Sequence, residues 1–153
     1  MNKLLLVLSL LTLPLLAPAQ RKAINIQPAT PARPLSDAIL VGDTLYLSGK
    51  LGHDVKGEVP ASFEEEARNA LEGQRAVLKA AGYDFSDVVK VTVFLTDLNN
   101  FADWNKVYSR YFNVDPPARS TVQVAGLVRG GHVEVEMIAV KIAKPHVAPA
   151  SGR

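Results

Sequence analysis

The sequence contains no cysteine. That excludes disulfide scaffolds, thiolate zinc sites, cysteine nucleophiles and lipid-anchored cysteines together. Excess charge of one sign is also missing. Seventeen Lys and Arg stand against 15 Asp and Glu in 153 residues, a formal net charge of +2. No basic field is large enough to mark nucleic acid as the main partner. His53, His132 and His146 are scattered, with no pair at ligand spacing, so no metal site is expected. There is no Gly-x-Ser-x-Gly elbow and no Walker-type loop. Gly42, Gly49, Gly52 and Gly57 lack the spacing of a dinucleotide fingerprint, and turns account for them. Beyond the first 16 residues, no apolar run reaches transmembrane length.

What is present is a globular balance: 48% hydrophobic and 21% charged residues, which rules out a wholly disordered chain. The start, MNKLLLVLSLLTLPLLAPAQ, has three parts. Lys3 is the positive region, residues 4–16 are an apolar run broken only by Ser9, Thr12 and Pro14, and Ala17-Pro18-Ala19 is a small-x-small cleavage signature. The run is short for a membrane span, and Pro14 weakens a long helix. A signal peptide over residues 1–19 is therefore expected, with cleavage before Gln20 and a periplasmic or secreted product. No stable membrane insertion is expected after cleavage. One domain over 20–145 and a loose Pro/Ala/Ser/Gly tail over 146–153 follow.

Pro28, Pro31 and Pro34 make residues 27–37 an extended loop, with a short strand over 23–26 before it. Two β-prone runs, 38–41 and 44–48, flank Gly42-Asp43 and read as a tight hairpin. Ser62-Phe63-Glu64-Glu65 has the form of a capping box. Phe63, Ala67, Ala70, Leu71, Val77, Leu78 and Ala81 follow at helical spacing, and Gly82 supplies the stop. Residues 88–96 read as a strand. Phe101, Trp104, Val107, Tyr108, Tyr111 and Phe112 predict a second amphipathic helix, closed before Pro116-Pro117. Residues 119–125 and 132–142 are two more strands. The fold class is α+β, about six strands in a mixed sheet with two helices on one face. Val91, Val93 and Leu95 alternate with Thr92, Phe94 and Thr96, so neither face of that strand is purely polar. The chain has no third helix to cover a second face, and self-association is the economical answer.

The informative segment is PPARSTVQVAGLVRGGHVEVE, residues 116–136. Arg119 opens a strand, Thr121 shares its face, and Glu134 lies on the next strand. If the two strands pair through residues 126–131, Glu134 comes near the Arg119 end. From spacing alone, the favoured reading of this pair is a cross-strand ion pair on a solvated surface.

This segment, continued by MIAV, resembles the C-terminal signature of the Rid family (reactive intermediate deaminases, also called the YjgF/YER057c/UK114 family). Upstream, AILVGDTLYLSGKLG resembles the family's early hairpin, and VVKVTVFLTDLNNFADWNKVYSRYF its central strand and second helix. The likeness runs over residues 33–143. It implies a chorismate-mutase-like fold and a homotrimer with clefts between subunits. It also implies hydrolytic deamination of reactive 2-imino acids to 2-keto acids and ammonia, without a cofactor. The resemblance sets the substrate-binding arginine on Arg119, the water-orienting glutamate on Glu134, a small polar residue on Thr121, and the cleft-lining turn on Ser48 and Gly49. The implied partners are a small 2-imino or 2-keto acid and further copies of the chain. Two positions depart from the pattern. Leu35, in Pro34-Leu35-Ser36, stands where the family has a tyrosine, which removes a hydroxyl and an aromatic wall from the substrate-binding set. Lys50 stands where a glutamine often follows Ser-Gly, which adds a charge near the cleft. These departures keep a second expectation alongside the enzyme, a non-catalytic trimeric binder of small carboxylates in the periplasm.

Overall fold

The computed structural model describes residues 20–28, 30 and 34–141. The expected signal peptide and the expected tail lie outside the described residues. Six strands form one sheet: β1 (Arg21–Ile24), β2 (Ala38–Val41), β3 (Thr44–Leu51), β4 (Val88–Leu95), β5 (Ala118–Gln123) and β6 (Val133–Val140), in the order β1-β2-β3-β6-β4-β5. The β4–β5 pair is parallel and the others are antiparallel, so the sheet is mixed. Two helices, α1 (Phe63–Ala80) and α2 (Phe101–Tyr108), complete the α+β architecture. Among the described residues, no helix is long and apolar enough to cross a membrane.

The β2–β3 hairpin turns where expected. Val41 pairs with Thr44, and Gly42 takes a φ of 57°, the left-handed conformation a tight link requires. Helix α1 also runs where its periodicity predicts. Ala67, Ala70, Leu71, Val77 and Leu78 are all fully buried. Gly82 ends it at φ 79°, and the Tyr83 N–H returns to the Leu78 carbonyl at 2.8 Å. The capping box does not form. Ser62 is the N-cap but makes no side-chain capping bond. Only its carbonyl acts, accepting the Glu66 N–H at 3.0 Å, while Glu65 turns outward, 3.6 Å from Arg68.

The second helix is shorter than its apolar stripe. The helix itself stops at Tyr108, and the chain continues in turns, with the N–H groups of Tyr111 and Phe112 both donating to the Tyr108 carbonyl at 3.0 and 3.1 Å. The stripe still packs as one unit because Tyr108 and Phe112 stack with ring centroids 4.6 Å apart.

The core lies on one face of the sheet. Leu45, Leu47, Val91, Val93, Leu95, Val133, Val135, Met137 and Ala139 are buried there together with the inner faces of both helices. The intervening residues form an opposite face on which Tyr46 and Val122 stand exposed and Phe94 and Ile138 are only half-buried.

One expectation about topology is corrected. Strands β5 and β6 do not pair; β4 lies between them. The β4–α2–β5 crossover makes β5 a parallel neighbour of β4, which puts it at the sheet edge and leaves the inner side of β4 to β6. The start of β6 is fixed from the helix layer. Glu66 is fully buried, and its Oε1 accepts the backbone N–H of His132 at 2.6 Å and of Val133 at 3.3 Å, while Oε2 lies 2.9 Å from His132 Nδ1. Truncating Glu66 strands two backbone donors in the interior. Glu66→Ala is therefore expected to cost about 3 kcal/mol, measured by denaturant unfolding; a loss within error of zero would contradict this role.

Candidate active site

Arg119 sits on the edge strand β5, opposite Val91 of β4, and so on the core-facing side of the sheet. Helix α2 covers it with residues spaced by three and four. Asn105 Oδ1 accepts an Arg119 Nη2–H at 2.7 Å. The guanidinium carbon lies 4.5 Å from the Tyr108 ring centroid and 5.7 Å from that of Phe101. These contacts fix the plane of the guanidinium while occupying few of its five donors. Among the described residues no carboxylate pairs with it. Thr121 is on the same side, paired in register with Val93, and its buried hydroxyl has no hydrogen-bond partner among the described residues.

Glu134 lies on the other face. It pairs in register with Phe94 of β4 and Leu51 of β3, and its strand neighbours Val133 and Val135 point into the core. Burial, and secondarily the negative charge of Glu136, raise its carboxyl above the ordinary 4.5. Neither a cation nor a donor counters that shift.

Ser48 and Gly49 occupy a β-bulge in β3, where the register with β6 shifts between Leu47 and Lys50. A Cβ on Gly49 would stand 1.8 Å from Glu134 Oε1, so the carboxylate lies directly on the glycine backbone and no larger residue fits. Ser48 ties the bulge to the preceding loop. Its hydroxyl donates to the Ser36 carbonyl at 2.7 Å, and its N–H donates to Asp37 O at 2.9 Å. Leu35, the next residue of that loop, is 53% exposed and available as a wall.

Lys50 behaves differently from the expectation. Its stem lies against Gly73 of α1, on the core-facing side, and its ammonium pairs with the fully buried Asp37 carboxylate. The added charge is therefore neutralised within the chain, on the side of the sheet away from Glu134. The bulge is the physical reason, because the extra residue turns Lys50 toward the helices.

The seven expected residues thus form two groups. Ser48, Gly49 and Glu134 meet at the β3 bulge, and Leu35 stands exposed in the loop to which Ser48 is tied. Arg119 and Thr121 lie at the far edge, beneath α2. Lys50 belongs to a structural ion pair. Asn105 and Tyr108 were not anticipated. Tyr108 reads in the sequence as one more apolar position of the α2 stripe, and Asn105 as a polar interruption; only their spacing from each other and a nearby arginine hint at a shared role.

The structure thus offers a guanidinium with free donors beneath α2, and a carboxyl of raised pKa against a glycine bulge on the opposite face. The chain belongs to the Rid family: the family model described as Endoribonuclease L-PSP matches residues 26–141. It is 49% identical over 124 residues to a protein of Bos taurus named 2-iminobutanoate/2-iminopropanoate deaminase, covering 79% of this chain and 90% of that one. The Homo sapiens protein of the same name is 44% identical over 110 residues, covering 71% and 80%. Among solved structures, RidA from an Antarctic Psychrobacter superposes with a TM-score of 0.72 at 40% identity, covering 78% of this chain and 99% of that one.

Proposed function

We propose that the protein hydrolyses 2-imino acids to 2-keto acids and ammonia, in clefts each shared by two copies of a homotrimer. One observation carries the reading. The two groups the chemistry needs, Arg119 and Glu134, belong to opposite faces of one sheet, separated by β4. A site that uses both is completed by a second chain. The apolar face on which Tyr46 and Val122 are exposed and Phe94 and Ile138 half-buried supplies the surface for that association.

The steps follow from the two groups. Arg119, its plane set by Asn105 and Tyr108, holds the substrate carboxylate through two parallel N–H donors. That fixes the adjacent C=N carbon. Glu134 from a neighbouring copy holds a water and takes one of its protons as the oxygen bonds to that carbon, giving a carbinolamine. The protonated Glu134 returns the proton to nitrogen. The Glu134 carboxylate then takes the hydroxyl proton as the C=O forms and passes it to nitrogen, the C–N bond breaking with its electron pair on nitrogen, and ammonia leaves. The raised pKa of Glu134 suits both halves of this cycle, since a more basic carboxylate takes a proton more readily.

The assay generates 2-imino acids in place with an amino-acid oxidase and follows their loss with and without the protein. Faster loss is expected; binding of the 2-keto acid without any acceleration would favour the carboxylate-binding reading instead. The assembly is tested separately. Light scattering should give about three times the chain mass, whereas a stable monomer at micromolar concentration would leave Arg119 and Glu134 unable to share a site.

A further inference from the structure

The half-buried guanidinium of Arg119 lies in an open groove. It shares a cavity of about 380 Å3 with Asn105, Tyr108, Ser109, Phe112 and the Pro116-Pro117 pair. The chemistry of the walls is divided. Arg119 and the Asn105 amide make one polar corner, joined by their 2.7 Å hydrogen bond. Tyr108 and Phe112, whose rings stack on each other, and the two prolines make the rest apolar. Tyr108 is only 6% exposed, and its hydroxyl is buried without a hydrogen-bond partner among the described residues. Burial pushes that phenol up to about 12, which keeps it a donor at any working pH.

One charged corner and an aromatic and prolyl lining recognise a carboxylate that carries an apolar chain. A two- or three-carbon acid would engage Arg119 and leave the apolar walls wet. Building on the deaminase reading above, we propose that this cavity receives the substrate's side chain and selects 2-imino acids with a branched or aromatic apolar group. The relatives named above carry names of small substrates, 2-iminobutanoate and 2-iminopropanoate; the selectivity inferred here is for larger ones.

The test uses the assembled full-length protein and the stable product acids. Affinities of pyruvate and of 4-methyl-2-oxopentanoate are measured by titration calorimetry for wild type and Ser109→Trp. Ser109 lines the cavity from the exposed end of α2, so an indole there fills the cavity without entering the core. Wild type should bind the longer acid about tenfold more tightly, from burial of its extra carbons, and Ser109→Trp should bring the ratio close to one. Equal affinities in wild type, or a preference that survives Ser109→Trp, would overturn the inference. Should neither acid bind wild type, the deaminase reading falls and this inference falls with it. Ser109→Phe, read in the same way, decides the matter should the indole variant fail to fold.

Discussion

Arg119→Ala is expected to abolish 2-keto acid binding and imine hydrolysis together. The side chain supplies the carboxylate clamp, and no other cation contributes to the described cluster around it. Losing one partner of a desolvated charge pair weakens binding by roughly a hundredfold or more. The substitution should leave the fold intact, because Arg119 lies on an edge strand and donates its one recorded hydrogen bond to a surface-layer asparagine. Arg119→Lys should also be poor. An ammonium cannot reproduce the planar two-point contact, nor lie flat over Tyr108. Calorimetric titration of a 2-keto acid and the imine-loss assay are read side by side. Full activity in Arg119→Ala would displace the site from this strand altogether.

Glu134→Gln is expected to separate binding from turnover. The amide can still hydrogen-bond a water but cannot take its proton. Affinity for the keto acid should change little, while kcat falls by about 100- to 10,000-fold. The pH dependence gives the same residue a second signature. Its folded-state pKa lies above 4.5 because burial, then Glu136, disfavours the charged form. The base must be deprotonated to act, so wild-type kcat/KM should decline on acidification with a midpoint above that ordinary value, and the variant should lack this limb. The stability sign is opposite. A carboxyl that binds its proton more tightly when folded loses the protein stability as pH rises through the window between its unfolded and folded pKa. Above that window Glu134→Gln should unfold at higher denaturant than wild type. A variant with unchanged kcat would remove Glu134 from the mechanism.

Much of this was readable from residue order. The α1 stripe and its Gly82 stop, the Gly42 hairpin and the β-branched β4 are local features, each determined within a few residues. The roles assigned to Arg119 and Glu134 came from resemblance. What residue order did not reveal was which strands are neighbours. Consecutive β5 and β6 look like a hairpin until the β4–α2–β5 crossover claims the sheet edge. That single difference puts Arg119 and Glu134 on opposite faces of the sheet, and the proposal of a shared site rests on it. Lys50 was misread for a similar reason: its partner, Asp37, lies 13 residues earlier across a bulge that no composition signals. Tyr108 was hidden because an aromatic in an apolar stripe has the same pattern whether it packs a core or carries a cation.

The central claim is that one catalytic cleft draws Arg119 from one copy and Glu134 from another. The most direct measurement mixes the two dead variants. Arg119→Ala and Glu134→Gln chains, each inactive alone, are unfolded, combined in equal amounts and refolded, and imine loss is followed. With random assembly, about one quarter of the shared clefts receive an intact Arg119 and an intact Glu134, so about a quarter of wild-type activity should return. Activity that stays at the level of the separate variants, in assemblies verified to be mixed, would contradict a site built across chains.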